Sequence, residues 1–141
     1  PPRSTLFPYT TLFRSQGHSD ADVLIHSICD ALLGAANLRD IGFHFPDIAD
    51  EFLGVDSKIL LKKSVALLRE NGFEVGNIDA TICAEAPKMN PHVPAMQKTL
   101  SEIMETDVNT ISIKATTSEK MGFVGRQEGI TAYAVALIYT L

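Results

Sequence analysis

Two kinds of hydrophobic pattern alternate along this chain, and their order constrains the fold more than any other feature of the sequence. Apolar residues recur at helical spacing in three segments, which span 20–37, 56–71 and 90–103. Three further segments are β-branched or alternate apolar with polar residues, as strands do, and they span 75–87, 109–117 and 130–141. The order helix, helix, strand, helix, strand, strand predicts an α/β (α+β) domain with a mixed sheet and helices packed on one face.

Two segments between these elements lack any period. Segments 39–56 and 118–129 are rich in Gly and in polar or charged residues, so we predict loops there. Gly72 is expected to end the second helix. The last segment, 130–141, predicts a strand, although its alanines also permit a helix.

The composition is that of one globular domain. The 141 residues are 45% hydrophobic and 21% charged, which is enough to bury a single core. The net charge of −5 argues against a duplex nucleic-acid binder but not against an anionic small substrate. No membrane-spanning run or signal peptide is recognisable, and Cys29 and Cys83 show no pairing pattern. We therefore predict a reduced protein of the cytoplasm, or of the plastid if the source is a plant or alga.

The stretch from Gly17 to Gly42 concentrates acidic residues and histidines at the start of the first helix. Asp22, His26 and Asp30 are four residues apart and lie near one helical face, where a divalent cation could bridge them to a phosphate. The alternative is structural, because aspartates commonly cap helices and a histidine in an apolar stretch is commonly a hydrogen-bonded core residue. Spacing alone leaves both interpretations open.

Residues 1–16 differ from the rest of the chain. They contain the echo STLF and TTLF, flanked by Arg-Ser, and show no period that continues into the first helix. The echo resembles a translated sequencing adapter. We therefore predict a non-native or disordered tail over 1–16, arising from sequencing or assembly, and a single domain over 17–141.

Three motifs in a fixed order carry a family resemblance. They read GHSDADVLIHSICDALLGAANLRDIGFHFPD, NIDATICAEAPKMNPHVPAM and SIKATTSEKMGFVGRQEG. They resemble the 2-C-methyl-D-erythritol 2,4-cyclodiphosphate synthases, which are lyases of non-mevalonate isoprenoid biosynthesis. The resemblance implies a homotrimer with active sites between subunits, and a CDP-linked methylerythritol 2-phosphate that is cyclised with release of CMP. It also implies that zinc and a second divalent cation, Mg²⁺ or Mn²⁺, hold the diphosphate.

The resemblance assigns roles residue by residue. His18 and Thr117 would stabilise the transition state, His26 would bind zinc, and Glu119 would bind the second cation. The substrate contacts comprise the helix start, a turn, a loop over the methylerythritol end, a segment that cradles cytosine and ribose, a turn at the α-phosphate, and two further contacts. The helix start contributes His18 and Ser19, the turn contributes Asp40, Ile41 and Gly42, and the loop over the methylerythritol end contributes Phe45, Pro46, Asp47, Ile48 and Ala49. The segment at cytosine and ribose comprises Ala84, Glu85, Ala86, Pro87, Lys88, Met89 and Asn90. The turn at the α-phosphate comprises Thr116, Thr117, Ser118 and Glu119, and the two further contacts are Phe123 and Arg126.

Several of these residues have ordinary interpretations without the resemblance. Lys88 beside a proline is typical of a solvated loop lysine, and Arg126 with Glu128 is typical of a surface ion pair that contributes little to stability. His44 and His92 fit the family pattern, but neither is assigned to a metal.

The chain departs from the family at its start. The family carries an Asp-x-His pair on its first strand, which supplies two of three zinc ligands, whereas residues 1–16 contain no Asp, Glu or His. We therefore expect weak zinc binding and a sheet without its first strands. Three functions remain to be separated: the synthase, a catalytically impaired trimeric module that binds a nucleotide or diphosphate, and a metal-dependent phosphohydrolase that would form a linear product.

Overall fold

The computed structural model describes residues 20–46 and 57–141, apart from the side chains of residues 20–22. The predictions for the N-terminal tail, for the helix start and for part of the loop over the methylerythritol end lie outside the described residues. These predictions concern residues 1–16, His18, Ser19, Asp47, Ile48 and Ala49.

A three-stranded mixed sheet forms one layer of the fold. Its strands are β1 (Phe73–Cys83), β2 (Ile111–Thr116) and β3 (Thr131–Thr140), in the order β2-β1-β3. Strand β1 runs parallel to β2 and antiparallel to β3. The three predicted strands are thus confirmed, and the last segment is a strand rather than a helix.

Strand β1 ends four residues earlier than its sequence pattern predicts. The amide of Ala84 still donates to the Thr116 carbonyl at 3.0 Å, but the chain then leaves the sheet. Pro87 has no N–H with which to continue a ladder, so the segment after Cys83 is a loop.

Three long helices cover one face of the sheet. They are α1 (Asp20–Ala35), α3 (Ser57–Glu70) and α4 (Val93–Met104), and 3₁₀ turns at Asn90–His92 and Val108–Thr110 flank α4. Helix α1 packs against β3 and α3, whereas α4 packs against β2 and α3. These helices confirm the three predicted ones, and Gly72 ends α3 with a left-handed φ of 87°. None of the helices described is long and apolar enough to cross a membrane.

Two one-turn helices lie within the segments that were predicted as loops. They are α2 (Ile41–His44) and α5 (Gly122–Gly125). The loop prediction is wrong at these two places, because a single turn is too short to leave a helical period in the sequence. Asp40 caps α2, since its carboxylate accepts the amide of Phe43 at 2.9 Å.

The core lies between the sheet and the long helices. Leu24, Ile28 and Leu32 of α1 are fully buried, as their helical spacing predicts. The inward residues of β1, Ile78 and Ile82 among them, pack against them in one cluster. This arrangement confirms the predicted fold class, a mixed sheet with helices on one face.

The opposite face of the sheet has no covering layer among the described residues. Its β3 side is apolar and exposed, whereas its β2 side is polar and carries the Lys114–Asp79 ion pair at 2.9 Å. The exposed fractions on β3 are 66% for Tyr133, 71% for Val135, 65% for Leu137 and 53% for Tyr139. A contiguous apolar row of this kind marks an interaction surface.

Candidate active site

The parallel pairing of β1 and β2 brings two candidate segments to the same edge of the sheet. Cys83 at the end of β1 is in register with Thr116 at the end of β2. The segment 84–90 follows the first strand, and the turn 117–121 follows the second. Because parallel strands end at the same edge, residues that are more than thirty positions apart in sequence become neighbours.

The two segments enclose a cleft of about 260 Å³. Ala84 and Met89 are buried and anchor the first segment in the fold, while Lys88 is exposed at the rim. The Ala86–Pro87 peptide bond is cis. The lining residues are Ala84, Glu85, Pro87, Lys88, Met89, Asn90, Ala115, Thr116 and Thr117. The structure thus brings together most of the residues predicted to cradle a nucleotide and its α-phosphate.

The backbone amides of residues 118–121, in the turn after β2, all donate hydrogen bonds within the fold. The amides of Ser118 and Lys120 donate to the Glu85 carboxylate at 3.2 and 2.9 Å. The amide of Glu119 donates to Oγ1 of Thr117 at 3.2 Å, and the amide of Met121 donates to the Ser118 carbonyl at 3.0 Å. Since all four amides are engaged within the fold, an anion at this turn would be met by side chains or by a cation.

The side chains at the cleft suit an anionic ligand. Thr116 and Thr117 are exposed, and the Thr117 hydroxyl accepts a hydrogen bond from the backbone, which leaves its hydrogen to donate to a phosphate oxygen. Lys88 supplies a positive charge at the rim. Glu119 is exposed on the same turn with a left-handed φ of 55°, where its carboxylate can bind a hard cation.

The second group of predicted substrate contacts lies at helix α2, away from this cleft. The Asp30 carboxylate accepts the amide of Ile41 at 3.0 Å and so fixes α2 to the end of α1. The carboxylate of Asp40 is engaged as the helix cap, and Gly42 and Pro46 are exposed. Neither these residues nor the half-buried Phe45 line the cleft.

The residues described do not make up a three-ligand zinc site. His26 is half-buried on α1, and no group of three or more His, Cys, Asp or Glu side chains that could hold a metal occurs in the described part of the chain. A catalytic zinc ion requires about three protein ligands. The expectation of weak zinc binding at His26 stays a prediction.

Phe123 and Arg126 follow the turn on and after α5. Phe123 is 49% exposed, whereas the Arg126 guanidinium donates to the Glu128 carboxylate at 2.9 and 3.1 Å. This pairing raises the pKa of Arg126 and lowers the pKa of Glu128, through the hydrogen bonds first and the opposite charges second. The ion-pair interpretation is therefore the one the structure shows for Arg126, and neither residue lines the cleft.

Comparison with known sequences decides the family. The sequence model of the YgbB family matches residues 6–139. The chain belongs to the YgbB family. The matched range begins inside the predicted tail, and the domain boundary at residue 17 stays a prediction.

Relatives of this YgbB protein carry the name that the motifs suggest. A Parabacteroides distasonis protein named 2-C-methyl-D-erythritol 2,4-cyclodiphosphate synthase is 70% identical over 122 residues, which cover 86% of this chain and 76% of that protein. A Bacteroides fragilis protein of the same name is 66% identical over 122 residues, which cover 86% of this chain and 77% of that protein. The family resemblance inferred from the three motifs is thereby confirmed.

Solved structures share the fold of this YgbB chain. The bifunctional IspDF of Campylobacter jejuni matches with a TM-score of 0.83 and 42% identity, covering 89% of this chain but only 34% of that protein. IspF of Plasmodium falciparum, solved as a CDP complex, matches with a TM-score of 0.76 and 32% identity, covering 87% of this chain and 74% of that one.

Sequence reasoning missed three features of the site. Ala115 lines the cleft although it carries no chemistry, and only the alternation along β2 signals its position. The tie from Asp30 to the α2 turn joins residues eleven positions apart. The hydrogen bonds from Glu85 to the turn 118–120 span 33 to 35 positions, and no local pattern reports them.

Proposed function

We propose that this YgbB protein is a 2-C-methyl-D-erythritol 2,4-cyclodiphosphate synthase of non-mevalonate isoprenoid biosynthesis. It would convert 4-CDP-2-C-methyl-D-erythritol 2-phosphate to the 2,4-cyclodiphosphate with release of CMP. The observation that carries the proposal is the cleft between segments 84–90 and 115–117, in a chain 70% identical to a synthase of that name. A binding module without turnover is not favoured, because the relatives described above are named synthases.

The reaction requires that the two ends of the substrate be held in position, and it requires no protein nucleophile. An oxygen of the 2-phosphate attacks the β-phosphorus, and the bond from that phosphorus to the bridging oxygen breaks, so CMP leaves with the bridging oxygen. Holding both ends of one flexible molecule in attack geometry makes this step effectively intramolecular, which removes a large entropic cost. Developing charge is then stabilised by oriented donors.

The cleft residues are proposed to hold the nucleotide end. Segment 84–90 would cradle cytosine and ribose, Lys88 would neutralise phosphate charge, and the hydroxyl of Thr117 would donate to a phosphate oxygen. Thr117 would thereby stabilise the transition state, and we propose the same role for His18. The Thr116 hydroxyl donates to the Thr117 carbonyl at 3.2 Å, so Thr116 would line the site without donating to phosphate. CDP binding in the Plasmodium falciparum structure supports a nucleotide of this kind.

The proposal includes two cations, and the described residues fit the binding of the second divalent cation better than the binding of zinc. Mg²⁺ or Mn²⁺ commonly binds through one or two carboxylates together with substrate phosphates, so exposed Glu119 on the α-phosphate turn fits this role. Such an ion spreads the negative charge of the diphosphate. His26 is proposed as one zinc ligand only, since the described residues do not complete the site, and no step of the reaction is assigned to zinc.

A homotrimer with shared active sites completes the proposal. Within the described part of the chain, the residues of α2 and those of the cleft lie on different elements, and the lining of the cleft includes none of the α2 residues. A neighbouring subunit would bring the two groups together. The exposed apolar row on β3 supplies a surface for that association. We propose a cytoplasmic location, or a plastid one in a plant or alga.

The test is CMP release from the CDP-linked substrate, with Zn²⁺ and Mg²⁺ present, followed by chromatography and ³¹P NMR. We expect CMP and a cyclic diphosphate, with release lowered about tenfold or more in Lys88→Ala because a charge-assisted contact is lost. Lys98→Ala is the matched control, since Lys98 is 78% exposed on α4, where it forms an ion pair with Glu102 at 3.6 Å. A linear product would indicate a phosphohydrolase, and nucleotide binding without release would indicate a binding module.

A further inference from the structure

Glu85 joins one wall of the cleft to the turn that follows the other wall. It lies in the segment after β1, and its carboxylate reaches across to the turn after β2. Oε1 accepts the amide of Lys120 at 2.9 Å, and Oε2 accepts the amide of Ser118 at 3.2 Å, with the Ser118 hydroxyl at 3.5 Å. Both carboxylate oxygens are thus directed at the turn.

The turn that Glu85 holds has a backbone that needs external support. Glu119 and Lys120 are consecutive residues with left-handed φ angles of 55° and 63°. Residues with a Cβ adopt this conformation rarely, and it persists where surrounding contacts fix it. Glu85 accepts hydrogen bonds from the amides on either side of Glu119, so it stabilises the disfavoured conformation where it occurs.

The turn is also fixed from its other side by helix α5. A Cβ on Gly125 would lie 2.1 Å from the carbonyl carbon of Lys120, so the two backbones approach as closely as a glycine allows. Glu85 on one side and Gly125 on the other thus both constrain the position of the turn relative to β2. Thr116 and Thr117 immediately precede it and line the cleft.

The charge of Glu85 argues for a role through the turn rather than through the ligand. A carboxylate facing a diphosphate would repel it, whereas the two amides that Glu85 accepts neutralise part of its charge. Those two amides are in turn withdrawn from any phosphate. Phosphate contacts at this end of the cleft therefore fall to the hydroxyl of Thr117, whose oxygen accepts the amide of Glu119 in the same turn at 3.2 Å.

We propose that Glu85 is a positioning residue, which holds the turn 118–120 so that the hydroxyl of Thr117 faces a nucleoside diphosphate in the cleft. The identity of the ligand rests on the proposed function. The tie between Glu85 and the turn does not, because it is a property of the unliganded chain.

The experiment compares Glu85→Ala and Glu85→Gln with wild type, by amide hydrogen exchange and by calorimetric titration with CDP. In Glu85→Ala, we expect exchange protection at Ser118 and Lys120 and the affinity for CDP each to fall roughly tenfold, because two hydrogen bonds to a charged acceptor are lost. Glu85→Gln keeps one acceptor oxygen and should recover part of both losses. Glu102→Ala removes an exposed glutamate of α4 and should match wild type.

Several results would overturn the proposal. One is unchanged protection of the two amides in Glu85→Ala; another is lost protection with unchanged CDP affinity. Weakened CDP binding with unchanged protection would mean that Glu85 contacts the ligand directly. If wild type binds no CDP, the proposed function fails, and exchange at the two amides still decides whether Glu85 holds the turn. Exchange protection of the Ile82 amide in β1 reports whether each variant is folded. If Glu85→Ala is unfolded, Glu85→Gln decides whether Glu85 holds the turn.

Discussion

The apolar row on β3 makes a quantitative prediction about association. Val135 is 71% exposed at the centre of this row. Burying a whole valine side chain contributes about 1.5–3 kcal/mol, so completing the burial of Val135 in the proposed trimer would contribute roughly 1–2 kcal/mol per subunit and about 3–6 kcal/mol in all. A lysine at this position would forfeit that contribution and would place three ammonium groups in the contact, which is a further cost.

We expect Val135→Lys to leave the folding of the single subunit intact. Residue 135 lies opposite Asp79 in the antiparallel register of β1 and β3, and a lysine there faces a carboxylate. We therefore expect a folded monomer, with the trimer association constant lowered by a factor of about a thousand or more, equivalent to about 4 kcal/mol. Val108→Lys is the matched control, because Val108 is a 40% exposed valine on the 3₁₀ turn before β2 and does not belong to the apolar row on β3.

Sedimentation equilibrium over a range of protein concentrations measures the effect. Wild type and Val108→Lys should sediment as trimers, and Val135→Lys as a monomer with an unchanged circular dichroism spectrum. The reasoning is refuted if Val135→Lys sediments as the same trimer as wild type. It is also refuted if wild type is monomeric at every concentration.

Three further predictions concern stability and reactivity. Arg69 donates hydrogen bonds to the Glu74 carboxylate and holds its pKa below the usual 4.5. The contribution of this pair to the free energy of unfolding is therefore complete above pH 4.5 and is lost as pH falls through the lowered pKa. Glu74→Gln should therefore lower the free energy of unfolding by about 1 kcal/mol at pH 7, and a urea titration should show the gap closing in acid; a gap independent of pH would contradict this. Burial raises the pKa of Cys29 to about 12, so an aromatic disulfide reagent at pH 8 should modify half-buried Cys83 first and Cys29 only after unfolding; two equally fast thiols would contradict it. Gly125→Ala should lower the free energy of unfolding by about 1–3 kcal/mol through overlap with the turn backbone, whereas Gly34→Ala, with open space at its Cβ, should not; thermal melts compare the two, and equal melts would refute the overlap.

The sequence predicts the fold well because most of the fold is periodic. The stripe through Leu24, Ile28 and Leu32 and the alternation through Ile78 and Ile82 each report burial on one face, and these residues are buried. The one-turn helices α2 and α5 have no period to detect. Their ends depend on single contacts instead, such as the cap that Asp40 provides.

The site is predictable in membership but not in geometry. The motifs identify the segment 84–90 and the pair Thr116–Thr117, and the parallel register of β1 and β2 then places them together. Contacts between residues far apart in sequence decide which side chains face a ligand and which support the backbone. Glu85 illustrates this, since its sequence neighbours suggest a substrate contact whereas its carboxylate accepts amides of the turn 118–120.

The central claim is that a nucleoside diphosphate binds in the cleft between the ends of β1 and β2. A titration of the ¹⁵N-labelled protein with CDP and Mg²⁺, followed by heteronuclear NMR, tests it most directly. We expect the largest shift changes in the amides of 115–119 and of 84–90 apart from Pro87, which has none, with a common dissociation constant. Changes confined to the groove between α3 and α4, which Lys58, Ile59 and Glu102 line, or no saturable change in the cleft, would contradict the claim.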